Sequence, residues 1–173
     1  KKVLVIDGDL RHGTVSAYVG SPKKGLTDYL GYEETSWNEL LITDKKYPNL
    51  HTIPVGTIPP NPTELLEDKS LATLIQALRN EYDYIFIDCP PIDIVADAQI
   101  IEQYADRTFF VVRAGLLDRS LLSELENIYQ EKRFKNLSII LNGTESTGGR
   151  YSYRYGYSYG YHNGYASYCR DKK

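Results

Sequence analysis

Short apolar runs recur along the chain at intervals that leave room for a helix between them. Each run is continuous rather than alternating and is rich in β-branched and aromatic residues, which is typical of strands buried on both faces of a parallel sheet. The runs cover residues 3–6, 51–55, 84–87, 108–112 and 137–141. The sequence therefore predicts strands at these positions, with both faces of the sheet covered.

Two stretches between these runs carry apolar residues at helical spacing. One follows Ser70 and the other follows Ser120, and either serine could cap its helix because a hydroxyl oxygen accepts hydrogen bonds from the first turn. The apolar positions are Leu71, Leu74, Ile75 and Leu78 in the first stretch, and Leu121, Leu122, Leu125, Ile128 and Tyr129 in the second. Alternating strands and helices predict a doubly wound α/β domain with a mainly parallel sheet.

The composition of the chain changes after Asn142. Residues 144–150 contain no apolar side chain and include two adjacent glycines, as expected of a flexible linker. We therefore predict a domain over residues 1–143, followed by a linker and a flexible tyrosine-rich tail over residues 144–173. Half of the sixteen tyrosines of the chain lie in that tail.

Composition argues against several classes of function. The 173 residues carry a formal net charge of −3, whereas a protein that mainly binds nucleic acid backbone needs a basic surface. Cys89 and Cys169 belong to no CxxC or Cys/His cluster, so neither a disulfide framework nor a zinc site is predicted. No apolar run is long enough for a membrane span, and the first residues do not resemble a signal peptide. Because the chain contains no Met and opens two residues before a strand-like run, we expect the polypeptide to begin upstream.

Carboxylates follow two of the predicted strands. Asp7 and Asp9 come after the first run, and Asp88 follows the third. In an open parallel sheet the ligand binds beyond the carboxyl ends of the strands, and carboxylates there can hold a hydrated Mg²⁺ against phosphates. Asp88 alone could instead cap a turn before two prolines, but a second acidic strand end favours a shared cation, which relieves the repulsion between carboxylates. If strand geometry continues past Asp7, the side chains of Asp7 and Asp9 point to one side.

The roles of three neighbouring features stay open. Arg11 could pair with either of the first two carboxylates, reach a phosphate, or form an ordinary surface ion pair. Cys89 has no base beside it in the sequence, which favours a small buried side chain over a nucleophile. The segment PPNPTELL, which starts at Pro59, is either a strand-to-helix connection or part of the site, and Asn61 or Thr63 could cap its helix.

A set of motifs in a fixed order resembles the bacterial tyrosine kinases (BY-kinases) of exopolysaccharide and capsule synthesis. An apolar run precedes DGDLR. After DGDLR come, in this order, GLTDYLG, PPNPTELL, IFIDCPP with ADA, FFVVR, LNG and the terminal tyrosine cluster. IDCPP is shared with partition-type and cell-division-site ATPases, whereas DGDLR, NPTELL and a tyrosine-rich terminus in that order are more specific. The resemblance covers essentially the whole chain and implies a fold of the P-loop NTPase type, unlike that of eukaryotic protein kinases.

The resemblance implies roles for individual residues. Asp7 and Asp9 match the acidic pair of the Walker A′ motif, and Asp88 matches the Walker B carboxylate that supports Mg²⁺, with Asp9 as the second expected metal ligand. In the family the first acid of the A′ pair is favoured as the group that activates the incoming tyrosine hydroxyl, which is Asp7 here. Arg11 and Asn142 are the corresponding candidates for contact with the nucleotide, ATP.

One motif of the family is missing from the 173 residues. No GxxxxGK[ST] occurs, and GSPKKG at residues 20–25 has neither the order nor the strand-to-helix setting of a phosphate-binding loop. In the family this loop lies upstream of the A′ strand. Because phosphoryl transfer depends on positioning and charge stabilisation, the 173 residues taken alone are predicted to be inactive as a kinase.

The tyrosine-rich tail has two interpretations. As a low-complexity segment it could stack, aggregate or bind single-stranded nucleic acid through its aromatic rings. As a phosphoacceptor array its hydroxyls would enter a kinase site in turn, and each phosphate would add about −1.5 to −2 charge and favour release. The acidic chain and the attached domain favour the array. Its acceptors would be Tyr151, Tyr153, Tyr155, Tyr157, Tyr159, Tyr161, Tyr165 and Tyr168.

The residues and the resemblance together predict an ATP- and Mg²⁺-dependent protein-tyrosine autokinase that phosphorylates its tail in trans and regulates polysaccharide synthesis and export. The resemblance implies a ring-like homo-oligomer at the cytoplasmic face of the bacterial inner membrane. Its expected partners are a membrane-anchored activator or fused transmembrane domain and the polysaccharide export machinery, without nucleic acid. The alternatives are a non-catalytic P-loop-like module whose tail is only a substrate or assembly element, and a partition-type ATPase, which has no use for a tyrosine tail.

Overall fold

The computed structural model describes residues 1–31, 35–91, 96–117 and 121–144, which form an α/β fold. The strands are β1 Val3–Asp7, β2 Ile42–Thr43, β3 Leu50–Ile53, β4 Tyr84–Asp88, β5 Phe109–Arg113 and β6 Ser138–Asn142. The helices are α1 Thr14–Tyr18, α2 Leu26–Gly31, α3 Pro62–Glu67, α4 Lys69–Arg79, α5 Asp97–Glu102 and α6 Leu121–Gln130, with a 3₁₀ turn at Trp37–Leu40. The predicted alternation of strands and helices is confirmed.

The larger sheet has the strand order β2-β3-β1-β4. β1 pairs in parallel with β3 and with β4, and the two-residue β2 pairs antiparallel with β3 at the edge. Because parallel strands end at the same edge of a sheet, β1 and β4 finish side by side, with Asp7 opposite Asp88. A mainly parallel sheet is therefore confirmed, and its topology brings the two acidic strand ends together.

The strands β5 and β6 pair in parallel with each other as a second, two-stranded sheet. Within the described ranges no ladder of hydrogen bonds joins this sheet to the first, whereas the sequence predicts one continuous sheet. β4 is therefore the last strand of the first sheet, and its edge away from β1 has no partner strand among the residues described.

The apolar face of α4 lies in the same buried cluster as β1 and β3. Its buried residues are Leu71, Leu74, Ile75 and Leu78, as the helical spacing predicts. The predicted cap is wrong, because Asp68 is the N-cap and its Oδ1 accepts from the backbone N of Ser70 at 2.8 Å and from the Ser70 hydroxyl at 2.6 Å. Ser120, the predicted cap of α6, lies outside the described residues.

Burial on both faces, as the continuous apolar runs predict, is wrong for three of the strands. β1 and β3 have buried interiors, with Leu4 and Ile53 fully inaccessible. On β4, β5 and β6, however, large apolar side chains are exposed at Tyr84, Phe86, Phe109, Val111, Ile139, Ile140 and Leu141. Alternate residues of a strand face opposite sides of the sheet, so the described helices leave one side of β4 without cover.

No helix in the described part of the chain is long and apolar enough to cross a membrane. The predicted tail and its eight acceptor tyrosines lie outside the described residues, which end at residue 144. The boundary at residue 143 stays a prediction.

Candidate functional site

Asp7 and Asp88 are the last residues of two adjacent parallel strands and lie opposite each other in register. The backbone N of Gly8 donates to the carbonyl oxygen of Asp88 at 2.8 Å, so the two chains stay together one residue beyond the ladder. Asp7 is fully buried, and Asp88 is exposed. The predicted juxtaposition of acidic strand ends is thus present, with Asp7 fully buried and Asp88 at the surface.

Only one oxygen of Asp7 is hydrogen-bonded. Oδ2 accepts from the backbone N and from the hydroxyl of Ser16, both at 2.7 Å. Oδ1 is buried and is the one buried side-chain polar atom without a partner in the described part of the chain. A buried carboxylate oxygen without a donor is unfavourable unless a ligand, a cation or water satisfies it. Asp7 Oδ1 is therefore the least satisfied polar atom of the site.

Asp9 is held by a turn rather than by the strand. β1 ends at Asp7, and Asp9 Oδ1 accepts from the backbone N atoms of Arg11 and His12 at 3.2 Å each. The Nδ1 atom of His12 lies 3.4 Å from the same oxygen. The condition that strand geometry continues past Asp7 is therefore not met, because the chain folds around the Asp9 carboxylate instead.

Asp88 carries the clearest electrostatic signature of the site. Its pKa is raised from 3.8 to about 6 because its surroundings remove part of its hydration and because the Asp7 and Asp9 carboxylates repel its charge. This repulsion indicates that the three predicted carboxylates lie near one another. A carboxyl with a pKa near 6 at the mouth of an acidic cluster can take up a proton or a cation.

The cluster fits a hydrated cation better than a fully protein-bound one. Across the described ranges, no group of three or more His, Cys, Asp or Glu residues is arranged to hold a metal ion by itself. Mg²⁺ keeps several waters and is commonly bound by one or two carboxylates together with substrate phosphates. The unpartnered Asp7 Oδ1 and the raised pKa of Asp88 both indicate that positive charge is lacking here. The assignment of Asp9 and Asp88 as ligands of such an ion stays a prediction.

Arg11 belongs to a partly buried network that joins three of the sequence motifs. Its Nε donates to Asp97 Oδ2 at 3.1 Å, and its Nη2 donates to Thr63 Oγ1 at 3.0 Å. The Thr63 hydroxyl donates to Asp97 Oδ1 at 2.7 Å, and Asp97 is fully buried. Arg11 thus pairs with a carboxylate outside the two that the sequence suggests, and its side chain is 32% exposed. Its contact with a phosphate stays a prediction.

Thr63 has a different role from the predicted helix cap. Asn61 occupies the N-cap position of α3 without a side-chain cap bond and instead donates to Glu64 Oε2 at 2.7 Å. Thr63 ties α3 to α5 through Asp97, so the PPNPTELL segment packs against the site. The sequence does not indicate Asp97 as a site residue, although it is the acid of the ADA motif. Its contacts with Arg11 and Thr63 join segments that are distant in the sequence, and no local pattern reveals them.

A close approach of two loops fixes the end of β3 beside this cluster. Leu26 N donates to Pro54 O at 2.7 Å, and Thr27 N donates to Val55 O at 2.9 Å. A Cβ on Gly25 would lie 2.3 Å from Pro54 O and from Gly56 N, so only glycine fits there. The GLTDYLG motif therefore serves to dock α2 onto the loop after β3.

Asn142 and Cys89 complete the set of sequence candidates. Asn142 ends β6, in the second sheet, and its backbone oxygen accepts from Ala114 N at 2.9 Å. Its nucleotide role stays a prediction. The pKa of Cys89 is raised to about 12 by burial and by the charges of Asp88, Asp9 and Asp97, which supports its interpretation as a packing residue.

Comparisons with known proteins place this geometry in context. The family model described as "AAA domain" matches residues 1–139. The tyrosine-protein kinase CpsD of Streptococcus agalactiae serotype III is 35% identical over 152 residues, 87% of this chain, and this chain spans 65% of the length of CpsD. The kinase domain of the Escherichia coli tyrosine kinase ETK matches with a TM-score of 0.75 and 31% identity over 92% of this chain and 60% of that one. MinD from Pyrococcus horikoshii, solved with Mg-ADP, shares the fold with a TM-score of 0.61 and 21% identity over 81% of this chain and 57% of that one.

Proposed function

Because the chain belongs to the AAA domain family and, within it, to the bacterial tyrosine kinases, we propose that it carries the acidic part of an ATP- and Mg²⁺-dependent tyrosine phosphorylation site. The observation that carries the proposal is the arrangement at the ends of β1 and β4. There Asp7 lies opposite Asp88, Asp9 is close enough to repel the Asp88 charge, and Asp7 Oδ1 has no partner. The tail tyrosines are the proposed acceptors.

Each carboxylate has a separate part in the proposed transfer. The tyrosine oxygen forms a bond to the γ-phosphorus of ATP while the bond to the β–γ bridging oxygen breaks and ADP leaves with that electron pair. The proposed acceptor of the hydroxyl proton is the Asp7 carboxylate, the group that the family resemblance favours for this role. Asp9 and Asp88 would hold Mg²⁺, which would neutralise charge on the phosphates. Arg11 contacts a phosphate through the exposed part of its guanidinium, and Asn142 contacts the base.

The β- and γ-phosphates also need a loop of backbone N–H donors and a lysine. We propose that such a loop follows a further parallel strand, which would lie between β4 and β5 in the sheet rather than in the sequence. That strand would pair with the edge of β4 that has no partner among the described residues. It would join the two sheets and deliver the loop to the edge where Asp88 lies. A helix after the loop would cover exposed side chains such as Phe86 and Phe109.

The acceptor in this proposal is a neighbouring copy of the same chain. Phosphates accumulating on the tail would be repelled by the acidic cluster, so phosphorylation would release the tail and loosen the homo-oligomer. We further propose that a membrane-anchored activator, separate or fused, holds the kinase at the cytoplasmic face of the inner membrane. Assembly and release there would regulate capsule or exopolysaccharide export.

The test uses the full-length protein, incubated with ATP and Mg²⁺, with phosphate mapped by mass spectrometry. The expected result is label on the tail tyrosines, and its loss in Asp7→Asn and Asp88→Asn. Asp44→Asn is the matched control, because this exposed carboxylate accepts only a local bond from Lys46 N at 2.6 Å. Absence of label from the tail, or equal labelling in all variants, would overturn the proposal.

The second candidate is a non-catalytic module whose tail is phosphorylated by another kinase. The observation in its favour is that the Asp7 carboxylate is fully buried. In that case the full-length protein stays unlabelled with ATP alone and becomes labelled in the tail only when a separate tyrosine kinase is added.

A further inference from the structure

The Arg11 guanidinium, the Thr63 hydroxyl and the Asp97 carboxylate form a closed ring of hydrogen bonds. Arg11 Nε donates to Asp97 Oδ2 at 3.1 Å, and Thr63 Oγ1 donates to Asp97 Oδ1 at 2.7 Å. Arg11 Nη2 closes the ring by donating to Thr63 Oγ1 at 3.0 Å. Arg11 lies between β1 and α1, Thr63 lies in α3, and Asp97 is the first residue of α5. The ring therefore ties together three segments that are distant in the sequence.

The chemistry of the three groups allows only one direction around this ring. A guanidinium donates and cannot accept, a carboxylate accepts and cannot donate, and a hydroxyl does both. Because the Thr63 proton points to Asp97 Oδ1, the lone pairs of Thr63 Oγ1 are left for Arg11 Nη2. Position 63 therefore needs a hydroxyl. Valine would leave an N–H of Arg11 and an oxygen of Asp97 without the partner that each has in the ring.

The ring occupies one edge of the Arg11 guanidinium and leaves the other edge open. Nε and Nη2 form the inner edge, which faces Thr63 and the fully buried Asp97. Because the guanidinium is planar, the N–H groups on Nη1 and on the far side of Nη2 point away from that edge. The side chain of Arg11 is 32% exposed. Since Asp97 and Thr63 cover the inner edge, the outer edge is the one that a ligand can reach.

We propose that Thr63 is a positioning residue that, together with Asp97, turns the outer edge of the Arg11 guanidinium towards a phosphate of the nucleotide. This inference rests on the proposed function, in which Arg11 contacts a phosphate. The backbone N of Arg11 donates to Asp9 Oδ1 at 3.2 Å, so the guanidinium belongs to the turn that also holds a proposed ligand of Mg²⁺. Parallel N–H groups in one plane match the oxygens of a phosphate, and a guanidinium that is already fixed loses less conformational freedom on binding them. Thr63 itself does not touch the nucleotide.

Isothermal titration calorimetry of Mg·ATP binding to full-length variants tests this role. Thr63→Val breaks two bonds of the ring. Its Kd for Mg·ATP is expected to rise about tenfold, as for the loss of one charge-assisted hydrogen bond. Thr63→Ser keeps a hydroxyl and is expected to bind within about twofold of the wild type. Thr73→Val is the matched control, because Thr73 is exposed and its hydroxyl donates within its own helix, to Lys69 O at 3.2 Å. A wild-type Kd in Thr63→Val, or a Thr63→Ser variant that binds as weakly as Thr63→Val, would refute the positioning role.

A double-mutant cycle separates positioning of Arg11 from a general structural tie. In the Arg11→Gln background, Thr63→Val is expected to change the Kd by less than about twofold, because the guanidinium that Thr63 orients is already absent. A further loss as large as in the wild-type background would contradict the proposal, because Thr63 would then act without Arg11.

Arg11→Lys carries the test if Thr63→Val does not fold. Lysine keeps the positive charge and can still pair with Asp97, but it has no second edge, so its Kd is expected to rise about tenfold as well; a wild-type Kd in this variant would refute the inference. If the wild-type protein binds no Mg·ATP, the proposed function and this inference both fail. If it binds Mg·ATP without labelling its tail, the proposed transfer fails and the Kd values still decide the role of Thr63. If it labels its tail and Thr63→Val binds as the wild type does, this inference alone fails.

Discussion

Replacing Asp88 by Asn is expected to stabilise the folded 173-residue chain above pH 6, although it removes a proposed ligand of Mg²⁺. The pKa of Asp88 is raised from 3.8 to about 6, first by lost hydration and then by repulsion from Asp7 and Asp9. The folded chain thus binds this proton more tightly than the unfolded chain does. The stability that the neutral carboxyl contributes is complete below about pH 3.8 and is lost as the pH rises through about 6. Asn is neutral throughout and escapes this loss.

The size of the effect follows from the pKa shift and the exposure of the side chain. A rise of about two pKa units corresponds to about 3 kcal/mol of unfolding free energy. Asp88 is exposed, so solvent screening reduces the expected value to about 1 kcal/mol. We expect Asp88→Asn to exceed the wild type by this amount at pH 8 without Mg²⁺, and to match it closely at pH 4.

Urea unfolding at pH 4, 6 and 8 measures this difference, with the fluorescence of the single tryptophan, Trp37, as the signal. Asp44→Asn is the control and is expected to follow the wild type at each pH. Added Mg²⁺ should stabilise the wild type more than Asp88→Asn, because it binds the folded state through the carboxylate. A variant that is less stable than the wild type at pH 8, or that gains equally at pH 4 and pH 8, would refute the electrostatic reasoning.

Three further predictions concern packing, the buried network and the thiol. Gly25→Ala is expected to lower the free energy of unfolding in urea by about 3 kcal/mol, because its Cβ would lie 2.3 Å from backbone atoms. Gly31→Ala is the control and should change the free energy of unfolding by at most about 0.5 kcal/mol, because the nearest atom to its Cβ would be 3.9 Å away. Equal effects of the two substitutions would contradict the close approach at Gly25. Asp97→Ala is expected to lower the free energy of unfolding by about 3 kcal/mol, because it leaves the Arg11 guanidinium without its buried partner. Asp106→Ala removes the partner of Arg79 in an exposed ion pair and should cost at most about 1 kcal/mol. Losses of similar size in the two variants would show that the network around Asp97 is weak. The pKa of Cys89 is raised to about 12, so its thiol should react slowly with iodoacetamide at pH 8 until the chain is denatured. Mass spectrometry measures this labelling. Rapid labelling of Cys89 in the folded chain would contradict the raised pKa.

The sequence predicts the part of the site that depends on strand ends. Apolar runs followed by Asp7 and Asp88 indicate parallel strands whose carboxyl ends meet, and the register places these residues opposite each other. This works because the ends of buried parallel strands are among the few positions where local pattern and ligand location coincide. The same reasoning predicts the α/β class from the alternation of runs and helical spacing.

The sequence does not predict contacts that depend on distant segments. The partner of Arg11 is Asp97, which lies 86 positions along the chain, and the donor to the Asp7 carboxylate is Ser16, whose surroundings carry no recognisable motif. The apolar runs also predict covered strands, yet Phe86 and Val111 are exposed. A run of apolar residues indicates that a face needs cover and does not identify the segment that covers it.

A mixing experiment tests the central claim most directly, namely that the cluster of Asp7, Asp9 and Asp88 phosphorylates the tail of another copy. One full-length protein carries Asp88→Asn and an intact tail, and the other carries intact carboxylates but ends at residue 143. Each is incubated with ATP and Mg²⁺ alone and then together, and phosphate is mapped by mass spectrometry. The account predicts no tail label on the Asp88→Asn protein alone and strong label on its tail tyrosines in the mixture. An unlabelled tail in the mixture, while the wild-type protein labels itself, would contradict transfer between copies.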